Sequence, residues 1–136
     1  MAAAGREILI LRSAITSVVV GMKTEFGWIE IGGTRYEYDI VIHTDGTITK
    51  RQKKLSKPLK GGYGHTPLSA EELGFLKDEH PAVVYIGTGQ SGDLPLTPEA
   101  VTLLEAYAPV VKPTPGILPL LKKEHRNYTA VLHVTC

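Results

Sequence analysis

The sequence predicts a mixed α/β fold. In its first half, apolar and polar residues alternate around glycine turns, a pattern typical of antiparallel strands joined by hairpins. In its second half, helix-start signals alternate with apolar runs of strand length, which is typical of a β-α-β-α-β order. The length of 136 residues, with 43% hydrophobic and 21% charged side chains, suits one soluble domain spanning residues 1–136.

The N-terminal half begins with an apolar stretch from Ile8 to Val20, which Arg12 and Ser13 interrupt. The stretch is too short and too polar to cross a bilayer, so we predict a strand bent or broken near Ser13 and no membrane span. No cleavable signal pattern precedes it.

Two hairpins are predicted next. The Gly32-Gly33 pair joins a strand from Phe26 to Ile31 to a strand from Thr34 to His43. Asp45-Gly46 repeats the turn signal and leads into a strand from Thr47 to Arg51. We therefore expect these strands to form one antiparallel meander.

After Pro67 the pattern changes to that of helices and buried strands. Ser69 followed by Glu72 is a capping box, which predicts a helix up to His80 that ends before Pro81. The apolar run from Ala82 to Ile86 then predicts a strand covered on both faces.

A second helix is predicted to begin at Thr97, because a threonine cap, a proline and an acidic residue follow one another there. Its expected inner stripe is formed by Val101, Leu104 and Ala108. A short strand at Val110-Val111 follows it.

Thr114 followed by proline predicts the start of a third helix. Gly116 and Pro119 fall in its first turns, so we expect it to begin late, near Pro119. A strand from Tyr128 to Thr135 closes the predicted sheet.

The charge is unevenly distributed. The formal net charge is only +1, yet one strip has no acidic residue and six basic ones: Lys50, Arg51, Lys53, Lys54, Lys57 and Lys60. Its lysines fall mostly in a segment without strands, from Gln52 to Thr66. The strip is either a solvated loop or a docking surface for a small anion or an acidic protein. Nucleic acid is a disfavoured partner, because Tyr63 is the only aromatic residue nearby.

Residues Gly87 to Gly92 have the glycine spacing of a dinucleotide-binding fingerprint. The context differs from that fingerprint, because Pro95 delays the next helix until about Thr97 and no acidic residue follows at the ribose position. The spacing therefore indicates a tight strand-to-helix loop or, as an alternative, a nest of backbone amides for a small anion. We predict no nucleotide or flavin cofactor.

Cys136 is the single cysteine, which excludes an internal disulfide and a multi-cysteine metal site. It indicates a reducing, cytoplasmic setting. His133 and Cys136 lie three residues apart on a predicted strand and point to opposite faces, which argues against a base and thiol pair. We predict no metal, since nothing in the spacing of the histidines brings them together.

Several motifs of this sequence occur in the same order and spacing as in a known family. They are Tyr36 to Ile42, Asp45-Gly46 with Arg51, Gly64-His65, the capping-box helix, Ile86 to Gly92, Pro113 to Pro115, and Leu132 to Cys136. In this order and spacing they resemble the domain-of-unknown-function family 498, which includes the mitochondrial complex I assembly factor 3 and an adipogenesis-associated mammalian protein. The resemblance covers about Phe26 to Cys136 and leaves residues 1–25 as an N-terminal strand segment. It implies a compact three-layer domain with a mixed central sheet and an antiparallel β-hairpin layer.

The resemblance implies no established enzymatic activity. We therefore expect a non-enzymatic protein-interaction or assembly-type factor of the cytoplasm, with a protein as its partner. The alternative is a small anionic-ligand binding protein or an enzyme that uses the loop from Gly87 to Gly92. Such a site would lie where loops leave the carboxyl ends of neighbouring strands. Its candidate ligand residues are Arg51, His65, Gly87, Gly89, Gln90 and Thr114. Among them, Gly89 and Gln90 would supply amides, Thr114 a hydroxyl and Arg51 a positive charge.

Overall fold

The computed structural model describes residues 21–135, so the strand predicted from Ile8 to Val20 and the terminal Cys136 lie outside the described residues. The described part of the chain contains eight strands and four helices. The strands are β1 (Met22–Glu25), β2 (Trp28–Ile31), β3 (Thr34–Tyr36), β4 (Ile40–Ile42), β5 (Ile48–Lys50), β6 (Val83–Thr88), β7 (Val110–Lys112) and β8 (Tyr128–His133). The helices are α1 (Lys60–Tyr63), α2 (Leu76–Glu79), α3 (Pro98–Leu104) and α4 (Thr114–Lys123), with 3-10 turns at Lys53–Leu55, Lys57–Leu59, Glu71–Leu73 and Glu105–Tyr107. Over residues 21–135 no helix has the length and apolar character needed to cross a membrane.

Five strands form the central sheet, in the order β5-β4-β8-β6-β7. β6 runs parallel to β7 and β8, whereas β4 runs antiparallel to β5 and β8. Both six-residue strands, β6 and β8, are buried at every position. The prediction that the apolar run in β6 is a strand covered on both faces is confirmed.

The two faces of the central sheet form two separate cores, because successive side chains of a strand point to opposite faces. Ile40 and Ile42 of β4 face one core, while Val41 between them faces the other. α4 and the small sheet of β1, β2 and β3 cover the first core, which includes Met22 and Ile29. α2 and α3 cover the second core. This arrangement confirms the predicted mixed α/β domain with an antiparallel β-hairpin layer.

The N-terminal strands do not form one meander, and that prediction is wrong. The Gly32-Gly33 turn joins β2 to β3 in the small sheet, whereas Asp45-Gly46 lies in the turn that joins β4 to β5 in the central sheet. Between these turns the chain leaves one sheet at Tyr36 and enters the other at Ile40. Phe26, predicted to be in a strand, lies in the turn between β1 and β2. Alternation has the same period of two in both sheets, so the pattern does not show where the chain changes sheet.

The helix predicted from Ser69 to His80 is replaced by two short pieces. The 3-10 turn Glu71–Leu73 precedes α2, and neither piece has a side-chain cap at its start. α2 ends at His80, whose left-handed backbone (φ 52°) leads into Pro81 as the sequence predicts. The capping box itself is a wrong prediction, since its two side chains make the contacts described in the next section.

α3 begins as predicted, because the Thr97 hydroxyl accepts a hydrogen bond from the Ala100 amide at 3.1 Å. Its buried face differs from the prediction: Ala100 and Leu104 are buried, whereas Val101 is 47% exposed. Ala108 lies beyond the helix in a left-handed conformation. The predicted stripe is correct only at Leu104, because the helix is short and passes into a 3-10 turn before the stripe can continue.

α4 begins at Thr114, so the predicted late start near Pro119 is wrong, and Pro119 lies inside the helix. The helix buries Ile117, Leu118 and Leu121 in the first core. This packing outweighs the ladder hydrogen bond that Pro119 forfeits, because tertiary contacts supply most of the stability of a short helix.

The segment from Gln52 to Thr66 contains no strand, as predicted, but it is not an irregular loop. Two 3-10 turns and α1 follow one another along it as consecutive helical turns. Ser56 is buried, whereas every residue from 57 to 65 is exposed. The basic strip is therefore displayed on a short, turned segment that one buried residue anchors.

Candidate functional site

Asp39, Arg51 and His133 meet at one end of the central sheet. Asp39 immediately precedes β4, Arg51 immediately follows β5, and His133 ends β8. The strand register pairs Ile40 with the residues that precede Arg51 and His133, so the three polar side chains are neighbours. None of the three is more than 5% exposed. The cost of burying charges requires that they satisfy one another.

The guanidinium of Arg51 is held between two carboxylates. Its Nη1 donates to Asp39 Oδ2 at 3.0 Å, and its Nε and Nη2 donate to the two oxygens of Glu72 at 2.7 and 2.9 Å. Nη2 also donates to the Pro67 carbonyl at 2.8 Å. Burial would lower the pKa of Arg51, but the hydrogen bonds and charges of Glu72 and Asp39 raise it above its ordinary value. Arg51 is therefore a buried cation whose donors bind the protein itself.

The two residues that resemble a capping box belong to this cluster. Ser69 Oγ lies 2.6 Å from Ser56 Oγ, and the Ser56 hydroxyl donates to Glu72 Oε2. Glu72 is thus bound by Arg51 and Ser56. A buried guanidinium competes well against a backbone amide for a carboxylate, because charge-assisted hydrogen bonds are about twice as strong as neutral ones. That is the physical reason for the failed capping prediction.

Asp39 joins the cluster to β8. His133 Nδ1 lies 2.5 Å from Asp39 Oδ2, and the Val134 amide donates to Oδ1 at 2.8 Å. Burial alone would raise the pKa of Asp39, but the hydrogen bond and charge of His133, the Val134 amide and the Lys53 charge hold it well below its usual range. Asp39 is therefore ionised and can only accept, so Nδ1 of His133 carries the hydrogen and donates it.

Lys53 is the member of the cluster that reaches solvent. Its Nζ lies 3.4 Å from Asp39 Oδ2 and 3.1 Å from Thr135 Oγ1, and its side chain is 34% exposed. It lines two cavities. The lysine cavity, of about 430 Å³, is lined by Tyr38, Asp39, Lys50, Arg51, Gln52, Lys53, Lys54 and Lys57. The histidine cavity, of about 190 Å³, is lined by Lys53, Lys60, Gly64, His65, Thr66, His133 and Thr135.

Both cavities favour negatively charged ligands. The lysine cavity is lined by four lysines, and its one carboxylate, Asp39, already accepts from the buried Arg51. The histidine cavity has two lysines and two histidines, and none of its described lining residues is acidic. The basic strip of the sequence is thus concentrated around two openings at the same end of the sheet.

Arg51 and His65, two of the six predicted ligand residues, line different cavities. Gln90 lies elsewhere, since its Nε2 donates to Thr24 Oγ1 of β1 at 3.1 Å. The described geometry does not gather the predicted residues around one pocket, and their role in binding a ligand stays a prediction.

The other three predicted residues, Gly87, Gly89 and Thr114, form a joint between β6, β8 and α4. Thr114 Oγ1 accepts from the Gly89 amide at 2.9 Å and donates to the His133 carbonyl at 2.6 Å. The Thr114 amide in turn donates to the Gly89 carbonyl at 2.9 Å. Gly89 has a positive φ of 99°, which favours glycine. The strand-to-helix loop is confirmed, because α3 begins only at Pro98.

We expect Gly87→Ala to lower the free energy of unfolding by about 1 to 3 kcal/mol. A Cβ on Gly87 would lie 2.7 Å from Thr114 Oγ1 and 3.1 Å from Leu132 Cδ2, so the joint would have to shift. Urea unfolding measures the loss. Gly116→Ala is the matched control, because its added Cβ approaches only side-chain atoms of Lys112, at 3.8 and 3.9 Å. Equal stability of the two variants would contradict the role of Gly87.

Sequence reasoning singled out Arg51 but missed its partners Asp39 and Glu72. The signal for Asp39 was present, because an acid directly before an apolar strand is expensive to bury without a partner. Glu72 carried no such signal, since its spacing from Ser69 suggested a helix cap. Within residues 21–135, no group of three or more histidine, cysteine or acidic side chains is arranged to hold a metal ion.

Solved structures place the chain in a family. The chain is 35% identical to the conserved hypothetical protein PH1505 from Pyrococcus horikoshii OT3, whose crystal structure it matches with a TM-score of 0.75 over 86% of this chain and 98% of that chain. The chain belongs to the family of PH1505. MT938 is a further member of the PH1505 family, at 30% identity and a TM-score of 0.70 over 86% of this chain and 99% of MT938.

A more distant structure shows only that the fold of the PH1505 family extends further. The solution NMR structure of a Bordetella pertussis protein, described as an Mth938-like domain, is 21% identical, with a TM-score of 0.50 over 88% of this chain and 87% of that chain. No family model matches the sequence, and neither does any curated protein.

Proposed function

We propose that this member of the PH1505 family is a non-enzymatic, assembly-type factor of the cytoplasm that binds an acidic and partly apolar segment of a protein partner. The proposal extends the resemblance to the domain-of-unknown-function family 498, which includes a complex I assembly factor. The observation that carries it is the surface formed by residues 53–63, which we call the docking surface.

The docking surface combines positive charge with exposed apolar side chains. Its cations include Lys54, Lys57 and Lys60, all exposed. Leu55 is 45% exposed and Leu59 is 40% exposed on the same turns. A loop that is only solvated is expected to expose charged side chains and not large apolar ones. Large apolar side chains presented beside them are typical of surfaces that bind another protein.

Two openings are lined in part by residues of the docking surface and define the chemistry of the partner. The lysine cavity would accept acidic side chains. A groove of about 510 Å³ includes Leu55, Pro58 and Leu59 in its lining and would accept apolar side chains, while Glu71 and Glu99 in the same lining would repel acidic ones. A partner segment that carries both kinds of side chain can engage both openings at once.

Buried contacts hold the docking surface in place, so its shape is fixed before a partner binds. Ser56 is buried and contacts Ser69 and Glu72, and Glu72 in turn holds Arg51. A surface that is already ordered loses less conformational freedom when a partner binds. The buried cluster thus supports the proposal as a positioning device for the docking surface.

The alternative of a ligand in the loop from Gly87 to Gly92 has less support. The Gly89 amide and the Thr114 hydroxyl bind each other, and Gln90 binds Thr24. These groups stabilise the joint between the sheets and α4, and a ligand would have to displace those hydrogen bonds to use them.

A photo-crosslinking residue tests the location of the docking surface. Placed at position 59 of the full chain in cell extract, it should yield a defined crosslinked partner. Placed at position 101, where Val101 is similarly exposed on α3, it should not yield that partner. Crosslinking of the same protein from both positions would overturn the proposed location.

Binding of the purified partner then tests the role of charge. We expect the double variant Lys54→Glu, Lys57→Glu to weaken binding at least about tenfold, or about 1.4 kcal/mol, because acidic side chains would face like charges. Lys122→Glu with Lys123→Glu is the matched control, since it makes the same charge change on exposed residues at the end of α4. Isothermal titration calorimetry at two salt concentrations measures both variants. Equal weakening in both would show that only the net charge matters.

A further inference from the structure

We propose that the histidine cavity binds the phosphate group of a small molecule. The lining of the cavity contains Lys53, Lys60 and His65 together with Thr66 and Thr135. These side chains come from the basic strip, from the turn after α1 and from the end of the chain after β8. Their convergence is produced by the tertiary fold.

The electrostatics of the histidine cavity favour an anion. Two ammonium groups lie in its lining, and none of the described lining residues is acidic. Two of the lining residues, Lys53 and His133, contact the carboxylate of Asp39, which also accepts hydrogen bonds from Arg51 and from the Val134 amide. The negative charge of Asp39 is therefore largely compensated before any ligand enters.

The position of Lys53 is set in advance. Its ammonium lies 3.1 Å from Thr135 Oγ1 and 3.4 Å from Asp39 Oδ2. An ammonium has three hydrogens, so two contacts within the protein leave one for a ligand oxygen. A donor held in this way adds affinity, because little side-chain freedom is lost on binding.

The number and kind of donors favour phosphate over a carboxylate. A carboxylate has two oxygens in one plane, whereas a phosphate group presents three oxygens and up to two negative charges. Two ammonium groups and an imidazole suit an acceptor with oxygens in several directions, whereas the Thr135 hydroxyl already donates to Asp39 Oδ1. The volume of about 190 Å³ equals that of about six water molecules at about 30 Å³ each, which leaves room for a small organic group besides the phosphate.

The histidine cavity is distinct from the lysine cavity, although Lys53 and Lys60 belong both to the docking surface and to the lining of the histidine cavity. Lys54 and Lys57 line the lysine cavity, whereas Lys60 and His65 line the histidine cavity, and only Lys53 lines both. Variants can therefore distinguish the two proposals. Loss of partner binding through Lys54 and Lys57 would leave phosphate binding intact, and failure of phosphate binding would leave the docking proposal untouched.

Titration of the ¹⁵N-labelled full chain with inorganic phosphate, and separately with glycerol 3-phosphate, tests the site by NMR. We expect saturable shifts at the amides of Gly64, His65, Thr66 and Thr135. Tighter binding of glycerol 3-phosphate than of inorganic phosphate would show that the cavity also contacts an organic group. Equal affinity for the two would show that it contacts the phosphate group alone. Either result supports the proposal. The absence of saturable shifts at these amides with both probes would overturn it.

Lys60→Gln should weaken phosphate binding about tenfold, because it removes one of the two ammonium groups of the cavity. Lys57→Gln is the matched control, since it removes one exposed lysine from the same segment without touching the histidine cavity, and it should change the affinity less than about twofold. Both lysines are exposed, so both variants should fold. Equal loss in the two variants would mean diffuse attraction to the basic strip and would overturn the site.

Discussion

Arg51→Met is expected to lower the free energy of unfolding by about 3 to 5 kcal/mol, because it leaves buried carboxylates without their cation. Asp39 and Glu72 each accept from Arg51, and both lie in the protein interior. A domain of this size has only about 5 to 15 kcal/mol of stability in total, so the loss should be visible as a large shift of the urea midpoint.

Two further variants separate a buried charge effect from a loss of side-chain packing. Arg126→Met makes the same chemical change in a guanidinium whose side chain is 58% exposed and paired with Glu124, and it should lower the free energy of unfolding by less than Arg51→Met does. The double variant Arg51→Met, Glu72→Gln removes one of the stranded charges. It should therefore recover about 1 to 3 kcal/mol relative to Arg51→Met alone. A double variant that is less stable than Arg51→Met would contradict the charge explanation.

Asp39→Asn is expected to reduce stability by about 3 to 5 kcal/mol at about pH 7, and by progressively less as the pH falls through the ordinary carboxyl pKa of about 3.9 towards the depressed pKa of Asp39. The pKa of Asp39 is lower in the folded protein than its ordinary value of about 3.9. A depressed carboxyl pKa contributes stability that is complete above the unfolded pKa and is lost as the pH falls below it. The stability of the parent should therefore decline from about pH 5 downwards, and the variant should show a shallower decline.

The acid dependence should not vanish in Asp39→Asn. The Arg126 hydrogen bonds outweigh burial and, with the hydrogen bond from Tyr85, lower the pKa of Glu124 to about 2, so this group retains an acid-sensitive contribution. Asp45→Asn is a suitable control, because hydrogen bonds from Thr47 lower the pKa of Asp45 at an exposed turn where solvent screens the effect. Urea unfolding over this pH range compares the three proteins. Parallel stability curves for the parent and Asp39→Asn would show that Asp39 is not the titrating group.

These two variants also connect stability to the proposed function. Arg51 holds Glu72, and Glu72 accepts from Ser56, the buried residue of the docking surface. A weakened cluster should therefore loosen residues 53–63 before it unfolds the central sheet. Hydrogen exchange of the amides in that segment would report such local opening separately from global unfolding.

Local signals predicted those elements whose causes are local. The apolar run that becomes β6 needs cover on both faces wherever it lies, and the Thr97 cap satisfies an amide only three residues away. The two hairpin turns were found for the same reason, since glycine at positive φ is a requirement of the turn itself. Elements whose causes are distant were not found. The change of sheet between Tyr36 and Ile40 depends on strands of the other half of the chain, and no period in the sequence marks it.

The candidate site divides in the same way. The sequence by itself determined that a mixed α/β domain forms and that six basic residues lie close together without an acid. It also indicated Arg51 as a candidate functional residue. Only the tertiary structure decided that Arg51 is buried between Asp39 and Glu72, 12 and 21 residues away along the chain, and that the remaining lysines open onto two cavities. The physical reason is that the role of a charge depends on which opposite charge it meets and on how much water remains around it. The partner charge and the remaining water are both set by packing between distant segments. A local pattern such as Ser69 followed by Glu72 therefore gives no information about either.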